Sequence, residues 1–161
     1  GDARVKDIFE PLGVSTKFVG NDIQIVCDKE VVGQFKYDFS EQPDLAQTVV
    51  VTCCCMDVPF HFSGLQTLKI KETDRIAALM NECKKLGFLL EEPAEGELAW
   101  RGEKIAKSDE PIATYKDHRM AMSFAPAALK VETIRIDDPM VVSKSYPEYW
   151  TAVADCLEVM V

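Results

Sequence analysis

Residues 45–56, Leu45-Ala46-Gln47-Thr48-Val49-Val50-Val51-Thr52-Cys53-Cys54-Cys55-Met56, decide the fold. By propensity the β-branched run is a strand. By length, and with no internal glycine or proline, it is a helix buried on all sides. The residues alone leave these two readings level.

Outward from this run the periods are clearer. Val5, Ile8, Phe9 and Leu12 form a helical face over residues 4–12, ended by Pro11 and Gly13. Residues 14–19 and 23–27 flank the turn triplet Gly20-Asn21-Asp22 and predict a hairpin. Phe35, Tyr37 and Phe39 alternate in a strand over 34–39, and residues 60–65 predict another. Beyond it, Ile76, Leu79, Met80, Cys83 and Leu86 mark a helix from near Glu72, capped by Thr73 or an acid before it and stopped by Gly87. Residues 88–92 and 97–101 predict a second hairpin. Residues 117–129, apolar almost all round, predict a buried helix that includes Leu129. A strand over 133–136 follows. The last helix starts after Pro147, with Trp150, Val153, Leu157 and Met160 on one face. A block of helix, two strands, strand, helix, strand recurs at a spacing of about 70 residues, which suggests a structural repeat.

The chain has 161 residues, with 18 Lys and Arg against 27 Asp and Glu, a net charge of −9. That balance argues against a nucleic-acid or anionic-membrane binder, which needs a basic face. The 47% apolar and 28% charged fractions are those of a soluble globular chain. No apolar run approaches the roughly 20 residues of a membrane span. No glycine- or serine-rich linker divides the chain, so one domain over 1–161 is expected. The opening residues lack the apolar core of a signal peptide. The first residue is not methionine, and the chain opens on a helical stretch, which suggests a piece excised from a longer protein. Cys27, Cys53, Cys54, Cys55, Cys83 and Cys156 show no Cys-x-x-Cys and no zinc spacing. They read as reduced, buried small residues of a cytoplasmic protein, with no metal site.

Three cationic islands stand before helices in an otherwise acidic chain. Lys69-Ile70-Lys71-Glu72-Thr73-Asp74-Arg75 sits at a strand-to-helix junction, where free N–H groups and the helix dipole favour an anion. Lys71 and Arg75 are four apart and share a side of the first turn. Glu72 between them is a candidate acid or base. Tyr115-Lys116-Asp117-His118-Arg119-Met120 opens the apolar helix. Arg119 is placed there to meet a phosphate or carboxylate, Asp117 is a plausible cap, and His118 is titratable. Val142-Ser143-Lys144-Ser145-Tyr146-Pro147 offers a third cation before a helix opened by proline. Asp44, leading into the run 45–56, is either a cap or a partly desolvated acid suited to proton transfer. Each island alone also fits a solvated, self-paired helix start. Together they build one anion pocket if the helix starts converge.

Leu68-Lys69-Ile70-Lys71-Glu72-Thr73-Asp74-Arg75, Tyr115-Lys116-Asp117-His118-Arg119-Met120-Ala121-Met122 and Ser143-Lys144-Ser145-Tyr146-Pro147-Glu148-Tyr149-Trp150 closely resemble the C-terminal part of the 5-enolpyruvylshikimate-3-phosphate synthase family. The strings come in the family's order and at about its spacing, together with the Pro43-Asp44 step. The resemblance covers nearly the whole chain but only the last two fifths or so of a synthase.

It implies an α+β, inside-out enolpyruvyl transferase-like fold of repeated βαβαββ units, with helices buried and sheets outside. It tips residues 45–56 to the buried helix. It implies about two and a half such units, most of the C-terminal domain of a two-domain, monomeric, cytoplasmic parent. The implied reaction moves the enolpyruvyl group of phosphoenolpyruvate to the 5-hydroxyl of shikimate 3-phosphate, with no cofactor and no metal. This belongs to the shikimate pathway to chorismate and the aromatic amino acids. By the same resemblance Asp44 is the base towards the hydroxyl and Glu72 the proton shuttle. Arg75, Arg119 and Lys144 hold phosphoenolpyruvate, Lys144 also joining in proton transfer, and Lys71 lies on the shikimate-phosphate side. Thr67 departs from an asparagine that some members carry to touch that phosphate. The alternatives are the related transferase acting on UDP-N-acetylglucosamine and a non-catalytic anion-binding module.

Overall fold

The run 45–56 is a helix. A computed structural model describes residues 2–158. In it a 3-10 turn over Pro43–Leu45, started by Pro43, leads into α2 (Ala46–Cys55), which follows α1 (Val5–Phe9). Ala46, Gln47, Val49, Val50, Val51, Cys53 and Cys54 are all buried, and only the stripe Thr48, Thr52, Cys55 reaches the outside. Burial overrides the strand propensity of the valines. Thr52 turns its hydroxyl back to donate to the Thr48 carbonyl at 2.8 Å, which satisfies the hydroxyl without adding to helix stability.

This helix sets the topology. It connects β3 (Phe35–Asp38) to β4 (Phe60–Ser63), which pair in parallel with Phe35 opposite Phe60 and Tyr37 opposite Phe62. Parallel strands need a long crossover, and α2 is that crossover. Strand β5 (Leu98–Trp100) adds antiparallel to β4. Before this sheet, β1 (Leu12–Val19) and β2 (Asp22–Val31) form the predicted hairpin, longer than the sequence pattern suggested and turning at Gly20-Asn21. Its face bearing Phe18, Ile23 and Ile25 is exposed. Cys27 lies exposed on β2 and Cys156 is exposed too, so burial holds only for Cys53, Cys54 and Cys83, with Cys55 half-buried.

The next helix, α3 (Arg75–Lys85), starts later than expected. Its cap is not Thr73 or an acid before it but Asp74, whose Oδ1 accepts from the Ala77 N–H at 3.0 Å. Gly87 follows its end at φ +95°, as a helix stop requires. The second predicted hairpin shrinks to single antiparallel bridges, Glu91 with Ala99 and Phe88 with Lys104. The helix predicted over 117–129 is broken. Pro126 has no N–H to donate, so α4 (His118–Phe124) gives way to a 3-10 turn and then α5 (Ala128–Val131), leaving Leu129 exposed. The strand expected at 133–136 is one parallel bridge, Ile136 to Ile112. That bridge still carries the suspected repeat, because Ile112–α4–Ile136 copies the strand–helix–strand crossover of β3–α2–β4. Helices α2 and α4 pack on each other, and α3 packs on α2. A 3-10 segment Pro139–Lys144 and α6 (Tyr149–Val153) close the description, and Met160 lies outside the described residues. Among the described residues no helix is long and apolar enough to cross a membrane.

Candidate active site

The first two islands and Asp44 meet where α2, α3 and α4 begin. At their centre is Arg75, a buried cation with three carboxylate partners. Its Nε donates to Asp117 Oδ2 at 2.7 Å, Nη1 to Asp44 Oδ1 at 2.8 Å and Nη2 to Glu72 Oε2 at 2.7 Å. The planar guanidinium suits this fork, and the carboxylates compensate a charge that burial alone makes costly.

Two further cations close on Asp44. Lys71 Nζ lies 3.4 Å from its Oδ1, and Arg119 Nη2 lies 3.8 Å from its Oδ2. Arg119 Nη1 also donates to the Asp44 carbonyl at 3.2 Å. Burial pushes the Asp44 carboxyl pKa up, but Arg119, Lys71 and Arg75 together outweigh that and hold it below the usual carboxylate range. Asp44 is thus partly desolvated, as one of its two readings expects, while its cationic surroundings favour the anion.

The helix starts are occupied by their own acids. Asp74 caps α3, and Asp117 Oδ1 accepts from the Arg119 N–H at 2.8 Å to cap α4. The charges in the cluster balance, with Lys71, Arg75 and Arg119 against Asp44, Glu72 and Asp117. Arg75 is turned inward, so Lys71 and Arg119, each about one-third exposed, are the cations that face outward. Lys69 is diverted to Glu92 Oε1 at 2.7 Å. Lys144 ends the segment packed on α4, but it is exposed and makes no ion pair among the described residues. His118 Nδ1 lies 4.0 Å from Asp117 Oδ1. Thr67 is exposed on the 3-10 turn Gln66–Ile70. None of the clustered residues lines the groove of about 590 Å³ between 132–137 and α6.

Sequence reasoning named Asp117 only as a cap and missed it as the buried partner of Arg75. It passed over Glu82 entirely. The available signal was an acid on the core-facing stripe of α3, three residues after Leu79 and seven after Arg75. Glu82 is buried there, and Tyr115 donates its hydroxyl to Glu82 Oε1 at 2.7 Å. Burial, then the Glu82 carboxylate, pushes the Tyr115 phenol up to about 12.

The family model for EPSP synthase (3-phosphoshikimate 1-carboxyvinyltransferase) matches residues 1–153. The chain belongs to the EPSP synthase family. A 3-phosphoshikimate 1-carboxyvinyltransferase of Bacteroides fragilis is 52% identical over 151 residues, covering 93% of this chain and 37% of that protein. One from Cellvibrio japonicus is 35% identical over 150 residues, covering 93% and 35%. The chain thus spans little more than a third of the length of these EPSP synthases. A solved EPSP synthase from Acinetobacter baumannii superposes with a TM-score of 0.66 over 92% of this chain and 37% of that one, at 23% identity. That likeness establishes the α+β fold shared with EPSP synthases.

Proposed function

We propose that this chain supplies part of the active site of an enzyme that transfers the enolpyruvyl group of phosphoenolpyruvate to the 5-hydroxyl of shikimate 3-phosphate. The observation that carries the reading is the meeting of Asp44, Lys71, Glu72, Arg75 and Arg119 at the starts of α2, α3 and α4.

The reaction needs a proton delivered to the methylene carbon of phosphoenolpyruvate while the attacking hydroxyl loses one. The new C–O bond gives a tetrahedral intermediate. Phosphate then leaves as the added proton is withdrawn. Two carboxylates suit the two tasks. Glu72, half exposed and held among the described residues by one ion pair, to Arg75, is the movable one and serves the carbon. Asp44 serves the hydroxyl. Arrival of two anionic substrates draws Lys71 and Arg119 outward, which weakens their hold on Asp44 and raises its basicity. Arg119 then holds phosphoenolpyruvate and Lys71 the shikimate-phosphate side. Arg75 keeps both carboxylates in place. Lys144, on its exposed segment, is the third cation for phosphoenolpyruvate. The rest of the shikimate-phosphate pocket comes from a partnering domain, this chain forming about two and a half βαβαββ units of the C-terminal one. The parent is taken as cytoplasmic and monomeric.

The test is a chimera in which this chain replaces the matching part of the Bacteroides fragilis relative. Phosphate release that depends on both phosphoenolpyruvate and shikimate 3-phosphate supports the reading. Release with UDP-N-acetylglucosamine instead, or none with either acceptor, refutes it. The isolated 161-residue chain is expected to be inactive.

A further inference from the structure

Helix α3 grips the loop 113–117 at two points. Arg75 and Glu82 are seven residues apart, so they leave one face of the helix about 10 Å apart along its axis. Arg75 holds Asp117. Glu82 holds the other end of the loop. Its Oε2 accepts from the Ala113 N–H at 2.9 Å, its Oε1 accepts from the Tyr115 hydroxyl at 2.7 Å, and Lys85 Nζ lies 2.7 Å from Oε2. The neighbouring Thr114 N–H is taken by Asp137 Oδ1 at 2.7 Å.

Between the two grips the backbone is strained. Tyr115 and Lys116 both lie in the left-handed region, at φ +55° and +59°, and neither is glycine. Two consecutive side-chain-bearing residues stay there only where the surroundings over-determine them. Lys116 is exposed, so the restraint comes from the anchors on either side. A loop released at Ala113 and Tyr115 can relax towards right-handed angles. That would swing Asp117 away from Arg75 and carry Arg119 away from Asp44.

We propose that Glu82 is a positioning residue of this site: by fixing Ala113 and Tyr115 it holds the left-handed Tyr115–Lys116 turn, and so sets Asp117 against Arg75 and Arg119 against Asp44. Glu82 makes no hydrogen bond or ion pair to the clustered Asp44, Glu72, Lys71 or Arg119, so it acts through the loop. Its consequence for catalysis rests on the function proposed above, whereas its hold on the loop does not.

Amide hydrogen exchange on the 161-residue chain tests the hold. The Asp117 N–H donates to the Thr114 carbonyl and the Arg119 N–H to Asp117 Oδ1, so both report the loop. Glu82→Ala should speed exchange at both by about tenfold or more while Val50 in α2 is unchanged. Glu82→Gln, which can still accept from Ala113 and bond Tyr115, should restore most of the protection. Unchanged exchange at Asp117 and Arg119, or no rescue by Gln, overturns the proposal. If Glu82→Ala does not fold, Tyr115→Phe carries the test with the same two outcomes, local acceleration or none. In the active chimera, Glu82→Ala should lower kcat/KM for phosphoenolpyruvate about 10²-fold, with Glu82→Gln within about threefold of the parent. Equal activity in Glu82→Ala and the parent sinks the catalytic role. A chimera inactive before any substitution counts against the proposed function and leaves the exchange result to decide on Glu82.

Discussion

Arg75 and Asp117 form an ion pair removed from water, with Nε and Oδ2 2.7 Å apart and side chains 2% and 0% exposed. The pair joins α3 to the cap of α4. Truncating one partner strands the other's charge in the interior. Arg75→Ala should therefore destabilise the chain by about 3–5 kcal/mol, measured by urea unfolding. Arg119→Ala, at a one-third exposed site, should cost about 1 kcal/mol or less. Similar losses in the two variants would show that Arg75 is not the structural centre.

Asp44 gives a pH signature. Its folded pKa lies below its unfolded value of about 3.9, so its ion pairs contribute stability that is fully present above that value. The contribution fades as pH falls through the folded pKa. Asp44→Asn should thus be clearly less stable than the parent at pH 7, and the gap should narrow as pH falls from the unfolded value down through the lower folded one. A gap that is constant across that range would mean that the cations do not stabilise the Asp44 anion.

The two carboxylates should separate from the cations in the chimera's kinetics. Glu72→Gln and Asp44→Asn each remove a proton carrier while keeping shape, so kcat should fall by roughly 10²–10⁴-fold with a smaller change in KM. Arg119→Ala should mainly raise KM for phosphoenolpyruvate, since a bond to a charged group is worth about 1.5–3 kcal/mol. Near-normal kcat with raised KM in the carboxylate variants would reduce them to structural partners of Arg75.

Gly64 is the tightest backbone position near β4. At φ +74° an added Cβ would collide with Asp38 Oδ1 and with the backbone nitrogen and hydroxyl of Ser40, which already hydrogen-bond to that carboxylate. Gly64→Ala should cost about 2 kcal/mol or more, read as a lowered melting temperature. Gly20, also left-handed but with open space around it, should lose less on the same change.

The parts of the fold legible in the sequence were those fixed by local pattern. The β1–β2 hairpin followed from its turn triplet, and α3 from its apolar spacing. The run 45–56 was not legible from its own residues, because valine favours strands and only surrounding bulk makes a helix of it. The helix over 117–129 failed at Pro126, a local signal given too little weight against the apolar run. At the site, charge clustering marked Lys71, Glu72, Arg75 and Arg119. It did not say that Arg75 would be spent on three carboxylates, since Asp117 lies 42 residues away in sequence and the pairing is purely tertiary.

The crossover through α2 also bears on the order in which the molecule assembles. The β1–β2 hairpin needs only its own turn, and such units close in about 1–10 μs. The β3–β4 ladder must wait until the whole intervening helix has been laid down, because loop entropy is lost before any parallel contact repays it. In pulse-labelled refolding, amides of β1 and β2 should be protected before those of β3, and simultaneous protection would contradict that order. The Arg75–Asp117 pair forms only once α3 and the start of α4 are brought together, so its burial should follow the closing of the hairpin. A chain that has acquired its native hairpin and helices but not this pair is folded by most spectroscopic criteria and still lacks the Arg75–Asp117 tie between α3 and the cap of α4.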